Sequence, residues 1–149
     1  MILLGLMMLS GCANSSAKNS LRSFSDSCGI DFSGGKILES DDYHGLFGDG
    51  YEFVVASYIG EDVENAIKKA DHWRELPMDH DLHTFVYQPY EKHFVVPAIE
   101  HGYYYFYDRG FEVKDPYDDT GFLSRIYYNF TLAIYDSDNH ILYYCRLDT

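Results

Sequence analysis

Two runs near the C-terminal end constrain the fold more than any other feature. Ile126, Tyr128, Phe130, Leu132 and Ile134 occupy alternate positions, and Ile141, Tyr143, Cys145 and Leu147 do the same. A period of two is the spacing of side chains along one face of a strand. The residues between the runs, DSDNH at 136–140, are turn formers that reverse the chain. Together they predict a C-terminal β-hairpin with Phe130 and Leu132 buried.

The same reasoning extends upstream. In GLFGDG, Gly45 to Gly50, the Asp49-Gly50 pair favours a hairpin turn. A strand from Tyr51 to Ile59 follows, with Phe53, Val55 and Ile59 on one face and Val54, Ala56 and Tyr58 on the other. Apolar residues on both faces predict cover on both sides. Gly60 breaks this strand, and residues 61–75 carry Val63, Ala66, Ile67 and Ala70 at helical spacing. Glu61, Asp62 and Glu64 precede Lys68 and Lys69, the order that the helix dipole favours, and Pro77 closes the segment. Residues 78–101 fit a helix or a strand through Leu82, Phe85 and Val86. Tyr103 to Asp108 reads as a strand entered through His101-Gly102. The expected fold is α+β, a small antiparallel sheet with one main helix at about 61–75 packed on it and the C-terminal hairpin.

The amino terminus reads differently. Met1 to Leu9 contains eight apolar residues and one glycine. A membrane-spanning helix needs about 20 apolar residues, whereas a signal-peptide core needs about 7–15. The run ends in LSGC, Leu9 to Cys12, which resembles the lipobox of bacterial lipoproteins. That resemblance implies cleavage after residue 11 and a diacylglycerol thioether on Cys12, such that membrane lipid becomes the partner. Each buried methylene contributes about 0.8 kcal/mol, and two chains hold firmly where one does not. A cleaved secretory signal or a buried N-terminal strand would use the same apolar run. Residues 12–35 are rich in Ser, Asn and Gly and are expected to form a flexible tether, followed by a single domain over 36–149.

Charge narrows the partners. The chain has 24 acidic and 11 basic residues, a formal charge of −13. Nucleic-acid binding needs clustered Lys and Arg, so no nucleic-acid partner is expected, nor electrostatic adhesion to anionic lipid. With Cys12 acylated, Cys28 and Cys145 remain. They either pair in an oxidising compartment, for about 4–5 kcal/mol by loop closure, or leave Cys145 as a small buried hydrophobe in phase with its strand.

Several segments invite chemical readings. MDHDLH, Met78 to His83, brings Asp79, His80, Asp81 and His83 close in sequence, with His93 and His101 downstream. Imidazole and carboxylate are zinc and copper ligands, but no closed metal motif has this spacing, and no metal or other cofactor is expected. DSDN, Asp136 to Asn139, begins like a calcium loop, yet Ile141 and Leu147 stand where glycine and glutamate belong. GLFGDG precedes a strand rather than a helix, unlike a phosphate loop. Most distinctive is the aromatic content, 15 tyrosines, concentrated in YYYFYDR from Tyr103 to Arg109 and in the hairpin. Cross-strand aromatic pairs account for many of them. Tyr104, Tyr127 and Tyr144 are the candidates for an exposed patch that binds a sugar or a partner protein.

From Asp42 onward, HGLFGDG (44–50), WRELPM (73–78), GYYYFYDR (102–109), NFTLAIYD (129–136) and LYY…LDT (142–149) resemble a group of small Firmicutes proteins. The resemblance implies a recurring domain and no particular activity, catalytic residue or substrate. The function expected is a lipid-anchored, extracytoplasmic binding module of the cell envelope. The alternative is a small hydrolase-like enzyme or metal-binding protein using Asp79 to His83.

Overall fold

The computed structural model describes residues 9–46, 48–87, 95–110 and 113–149, with side chains from Asn14 onward. The apolar run through residue 8, the Cys12 thiol, Phe47 and His93 lie outside this description. The elements in chain order are α1 (Leu9–Cys28), β1 (Lys36–His44), β2 (Gly50–Ser57), α2 (Asp62–Ile67), β3 (Trp73–Glu75), α3 (His80–Tyr87), β4 (Gly102–Asp108), a 3-10 turn (Phe122–Ser124), β5 (Asn129–Asp136) and β6 (Ile141–Asp148). The six strands form one antiparallel sheet in the order β1-β2-β6-β5-β4-β3. The fold is α+β, and β5 and β6 form the C-terminal hairpin with Asp136 opposite Ile141.

Alternation along the strands divides the core between two faces. Val54, Ala56, Tyr105, Ala133, Tyr135, Leu142 and Tyr144 point to one face, under α1 and α2. Phe53, Val55, Tyr104, Phe106, Phe130, Leu132, Ile134 and Cys145 point to the other, under α3 and the 3-10 turn. On that second face Phe122 makes edge-on contacts with Phe85, Phe106 and Phe130 at 5.2, 5.4 and 5.1 Å between ring centroids. Edge-to-face packing at these distances is favoured by the ring quadrupole. At one edge of the sheet, Glu39, Asp41 and Asp42 of β1 lie exposed, and such charges discourage pairing with another chain.

The expected tether over residues 12–35 is largely helix. Ala17, Leu21, Phe24 and Cys28 recur at intervals of four, three and four, which places them on one stripe of a helix. Ala17, Leu21 and Phe24 are buried against the sheet. Full burial of Leu21 or Phe24 stabilises by about 1.5–3 kcal/mol each, enough to overcome the modest helix propensity of the Ser and Asn residues around them. Gly29, at φ 76°, stops the helix, and its N–H donates to the Ser25 carbonyl at 2.9 Å, a left-handed cap that glycine adopts without strain. The Ser25 hydroxyl then accepts from the Phe32 N–H at 2.8 Å. That bond turns the chain so that Phe32 stacks on Phe24 at 5.3 Å. The domain therefore includes α1, and Lys36 opens its first strand.

The helix expected at 61–75 is shorter than its periodicity implies. α2 ends at Ile67, where the Lys69 and Ala70 N–H groups bond to the Ala66 and Ile67 carbonyls in tighter turns. His72, at φ 70°, redirects the backbone, and Trp73 joins the sheet opposite Tyr105. Tertiary burial decides here, because Trp73 packs among Phe24, Phe32 and Tyr105. Within the open segment after Pro77, His80–Tyr87 form α3, which buries Leu82 and Val86. Ile59 and Ile126, expected within strands, lie beyond the strand ends and are exposed.

Candidate functional site

One row across the sheet concentrates polar chemistry on the α1 face. Register places Asp42 opposite Glu52, Glu52 opposite Arg146, Arg146 opposite Thr131 and Thr131 opposite Tyr107. α1 crosses this row. Near its start the Ser16 hydroxyl donates to Asp42 at 2.7 Å, and further on Phe24 meets Tyr105 and Tyr144 at 5.5 and 5.0 Å. Between the later turns of α1 and strands β4 to β6 lies a pocket of about 270 Å³, bordered by Ser23, Ser27, Tyr107, Tyr117, Arg109 and Arg146.

The two arginines are held by one carboxylate. Arg109, just past β4, donates from Nη1 to the Thr131 hydroxyl at 2.6 Å and from Nη2 to Asp148 at 2.5 Å and the Leu147 carbonyl at 3.2 Å. Arg146 donates from Nε to the other Asp148 oxygen at 2.8 Å. Burial disfavours the charge on Arg146, but the adjacent Asp148 carboxylate and Glu52 outweigh it and raise its pKa. Desolvation raises the pKa values of Tyr105 and Tyr144, so the phenols stay neutral. The pocket combines fixed cations, hydroxyls and aromatic walls, which suits recognition of a small polar molecule.

Tyr104, Tyr127 and Tyr144 do not form an exposed patch. Tyr144 borders the pocket but is only 4% exposed, and Tyr104, at 2%, lies on the opposite face with the Arg74 guanidinium 4.5 Å above its ring. Because both faces of the sheet are covered, alternation carries each ring into a core instead of one into solvent. Tyr127 alone is exposed, at 69%. It borders a second, shallower cleft of about 960 Å³ with Lys114, Asn129 and Thr149. On the border of that cleft, buried Asp108 pairs with Arg125 and accepts the Gly110 N–H at 2.6 Å.

Asp79 to His83 does not converge on a site. Asp79 lies 3.7 Å from Arg74, His80 opens α3, and the His83 ring lies against Tyr87 at 4.8 Å. Arg74 also reaches buried Asp119 at 3.3 Å. Burial raises the Asp119 pKa, against the pull of Arg74. Among the described residues, no three His, Cys, Asp or Glu side chains are grouped to hold a metal ion. Cys28 and Cys145 are free thiols and belong to opposite faces of the sheet, so the alternative of a disulfide is not realised. Burial pushes the Cys28 thiol up to about 11 and raises Cys145 as well, which leaves little nucleophilic thiolate near neutral pH.

Sequence reasoning passed over Arg109, Arg146, Ser23 and Ser27. The signal for Ser23 and Ser27 was their i, i+4 spacing beside the Leu21–Phe24 stripe. The arginines were placed together only by the register of β4, β5 and β6. Among the described residues no helix is long and apolar enough to cross a membrane. Compared with protein-family models, curated proteins and solved structures, the chain matches none.

Proposed function

We propose that this chain is a lipid-anchored binding module on the outer side of a bacterial cell membrane. Its signal segment is removed before Cys12, Cys12 carries the lipid, and the α+β domain offers the pocket beneath α1 to a ligand of the envelope. The observation that carries this reading is LSGC at the end of a short apolar run, where small residues admit a peptidase and the cysteine supplies a thiol. The acidic balance of the chain supports it, since like charge keeps an exposed domain soluble. Binding is favoured over catalysis because the pocket's polar groups are guanidiniums and hydroxyls without a histidine or carboxylate base on its border.

The test is metabolic labelling with a radioactive or clickable fatty acid, followed by fractionation, for the wild type and Cys12→Ser. The wild type is expected to carry label and to sediment with membranes, and Cys12→Ser to lose the label. An unlabelled wild type that partitions like the mutant overturns the proposal.

A further inference from the structure

We infer that the pocket beneath α1 binds a small acidic ligand, a single sugar-sized ring bearing a carboxylate or a phosphate, with Arg146 as the residue that grips the anion. The inference deepens the reading of the domain as a binding module, and it does not depend on the anchor.

Four observations meet at this place. The border of the pocket holds two of the chain's 11 basic residues and no Asp or Glu, in a molecule whose overall field repels anions. Asp148 binds Arg146 through Nε alone, and no described residue is hydrogen-bonded to its two terminal nitrogens. Those nitrogens form half of the planar fork that matches carboxylate and phosphate oxygens. Arg109, by contrast, is committed to Thr131, Leu147 and Asp148. It is a positioning residue that adds positive field and locks Asp148, and Asp148 in turn sets the plane of Arg146. Arg146 itself is 42% exposed along its side chain, so a ligand can reach it.

The remaining walls select what the anion is attached to. The Tyr107 and Tyr117 rings meet edge-on at 5.2 Å, and the His72 ring, stacked on Tyr117 at 3.5 Å, holds that ring in place. Ser23 and Ser27 stand one helical turn apart on α1, with the Ser27 hydroxyl donating to the Ser23 carbonyl at 2.9 Å and keeping its lone pairs for a ligand. Aromatic side chains and serine hydroxyls along one border suit a ring with hydroxyl substituents. A volume of about 270 Å³ is below the range of about 300–1,000 Å³ common for larger ligands, which limits the occupant to one ring.

The test uses the full chain carrying Cys12→Ser, so that its outcome is separate from that of the anchoring experiment. Isothermal titration and side-chain NMR are run with glucuronate, glucose 6-phosphate, inorganic phosphate and glucose as probes. Glucuronate or glucose 6-phosphate is expected to bind in the millimolar range or tighter and to move the Arg146 resonances, with the two arms showing which acid is preferred. Glucose is expected to bind at least tenfold more weakly. Arg146→Met should lower acidic-probe affinity at least tenfold. Ser27→Trp, which fills the pocket from the exposed side of α1 and leaves the arginines intact, should do the same, and it decides the matter if Arg146→Met does not fold. Three results overturn the inference. They are no binding of either acidic sugar, equal binding of glucose and glucuronate, and affinity in the folded variants equal to that of the parent. Inorganic phosphate binding as tightly as glucose 6-phosphate overturns the ring requirement.

Discussion

The face of the sheet beneath α1 and the face beneath α3 are both sealed by aromatic residues, but they use different ones. Beneath α3 the large rings are mainly phenylalanines, with Phe53, Phe106, Phe122 and Phe130 nearly inaccessible. Beneath α1 tyrosines predominate, and their hydroxyls find polar partners. Tyr58 donates to the Phe32 carbonyl at 2.9 Å, Tyr135 meets His140 at 3.3 Å and Tyr144 reaches Glu52 at 3.5 Å. A phenyl core can only exclude water. A tyrosine core excludes water at the ring and keeps a polar tip, so its margin can carry arginines and hydroxyls without orphaning them. Arginines also border the α3 face, but there Arg74 and Arg125 are paired with the buried carboxylates of Asp119 and Asp108, whereas on the α1 side the Arg146 terminal nitrogens face a pocket.

The comparison can be broken by deleting one large side chain from each face. Phe130→Ala, on the α3 side, should cost about 3–5 kcal/mol, measured as a lower urea midpoint. The emission of Trp73, the single tryptophan, should be unchanged in its folded state, because that residue packs on the other face. Leu21→Ala should cost about 2–5 kcal/mol and shift Trp73 emission to the red as water reaches the α1 side. A Leu21→Ala protein as stable as the wild type would show that α1 is not part of the core.

Smaller effects sharpen the contrast with the rim. His101 is exposed, and the hydrogen bond its Nδ1 donates to Asp138 at 3.0 Å, together with that carboxylate's charge, raises its pKa. A raised folded-state pKa stabilises fully below the ordinary imidazole value of about 6.5 and loses that contribution as pH climbs through the raised value. The NMR midpoint of His101 should lie above about 6.5 and fall back toward it in Asp138→Asn. The smallest effect expected is none. With Cys28 and Cys145 on opposite faces, reductant should leave the melting temperature unaltered, and a drop on reduction would mean that the thiols pair.

The strands were legible because alternation is enforced by the sheet itself. Ile126 to Ile134, Ile141 to Leu147 and Tyr103 to Asp108 located the central strands, and Asp49-Gly50 located the first hairpin. Burial of Phe130 and Leu132 followed from the same pattern. α1 was obscured by its composition. Its stripe of Ala17, Leu21, Phe24 and Cys28 is narrow, and the serines and asparagines that face outward are also what a linker contains. At 61–75 helical periodicity persisted past the real helix because Trp73 gains more from the sheet than from another turn. The tyrosines drew notice in sequence, yet their exposure depended on how many faces of the sheet are covered. The pocket could not be read at all from spacing, since Arg109 and Arg146 meet only through pairing across three strands.

α1 carries a further consequence for any lipid on Cys12. Cys12 and Ser16 are four positions apart on this helix, about 6 Å of rise, and Ser16 is already fastened to the sheet through Asp42. A lipid on Cys12 would leave no slack line between hull and cargo. The domain would ride on its acyl chains as a mast stepped directly into a deck, with the helix axis fixing its lean. Ser23 and Ser27 stand about 16–23 Å further along the same spar, so the tilt of one helix would set how high above the headgroups the pocket opens and which way it looks.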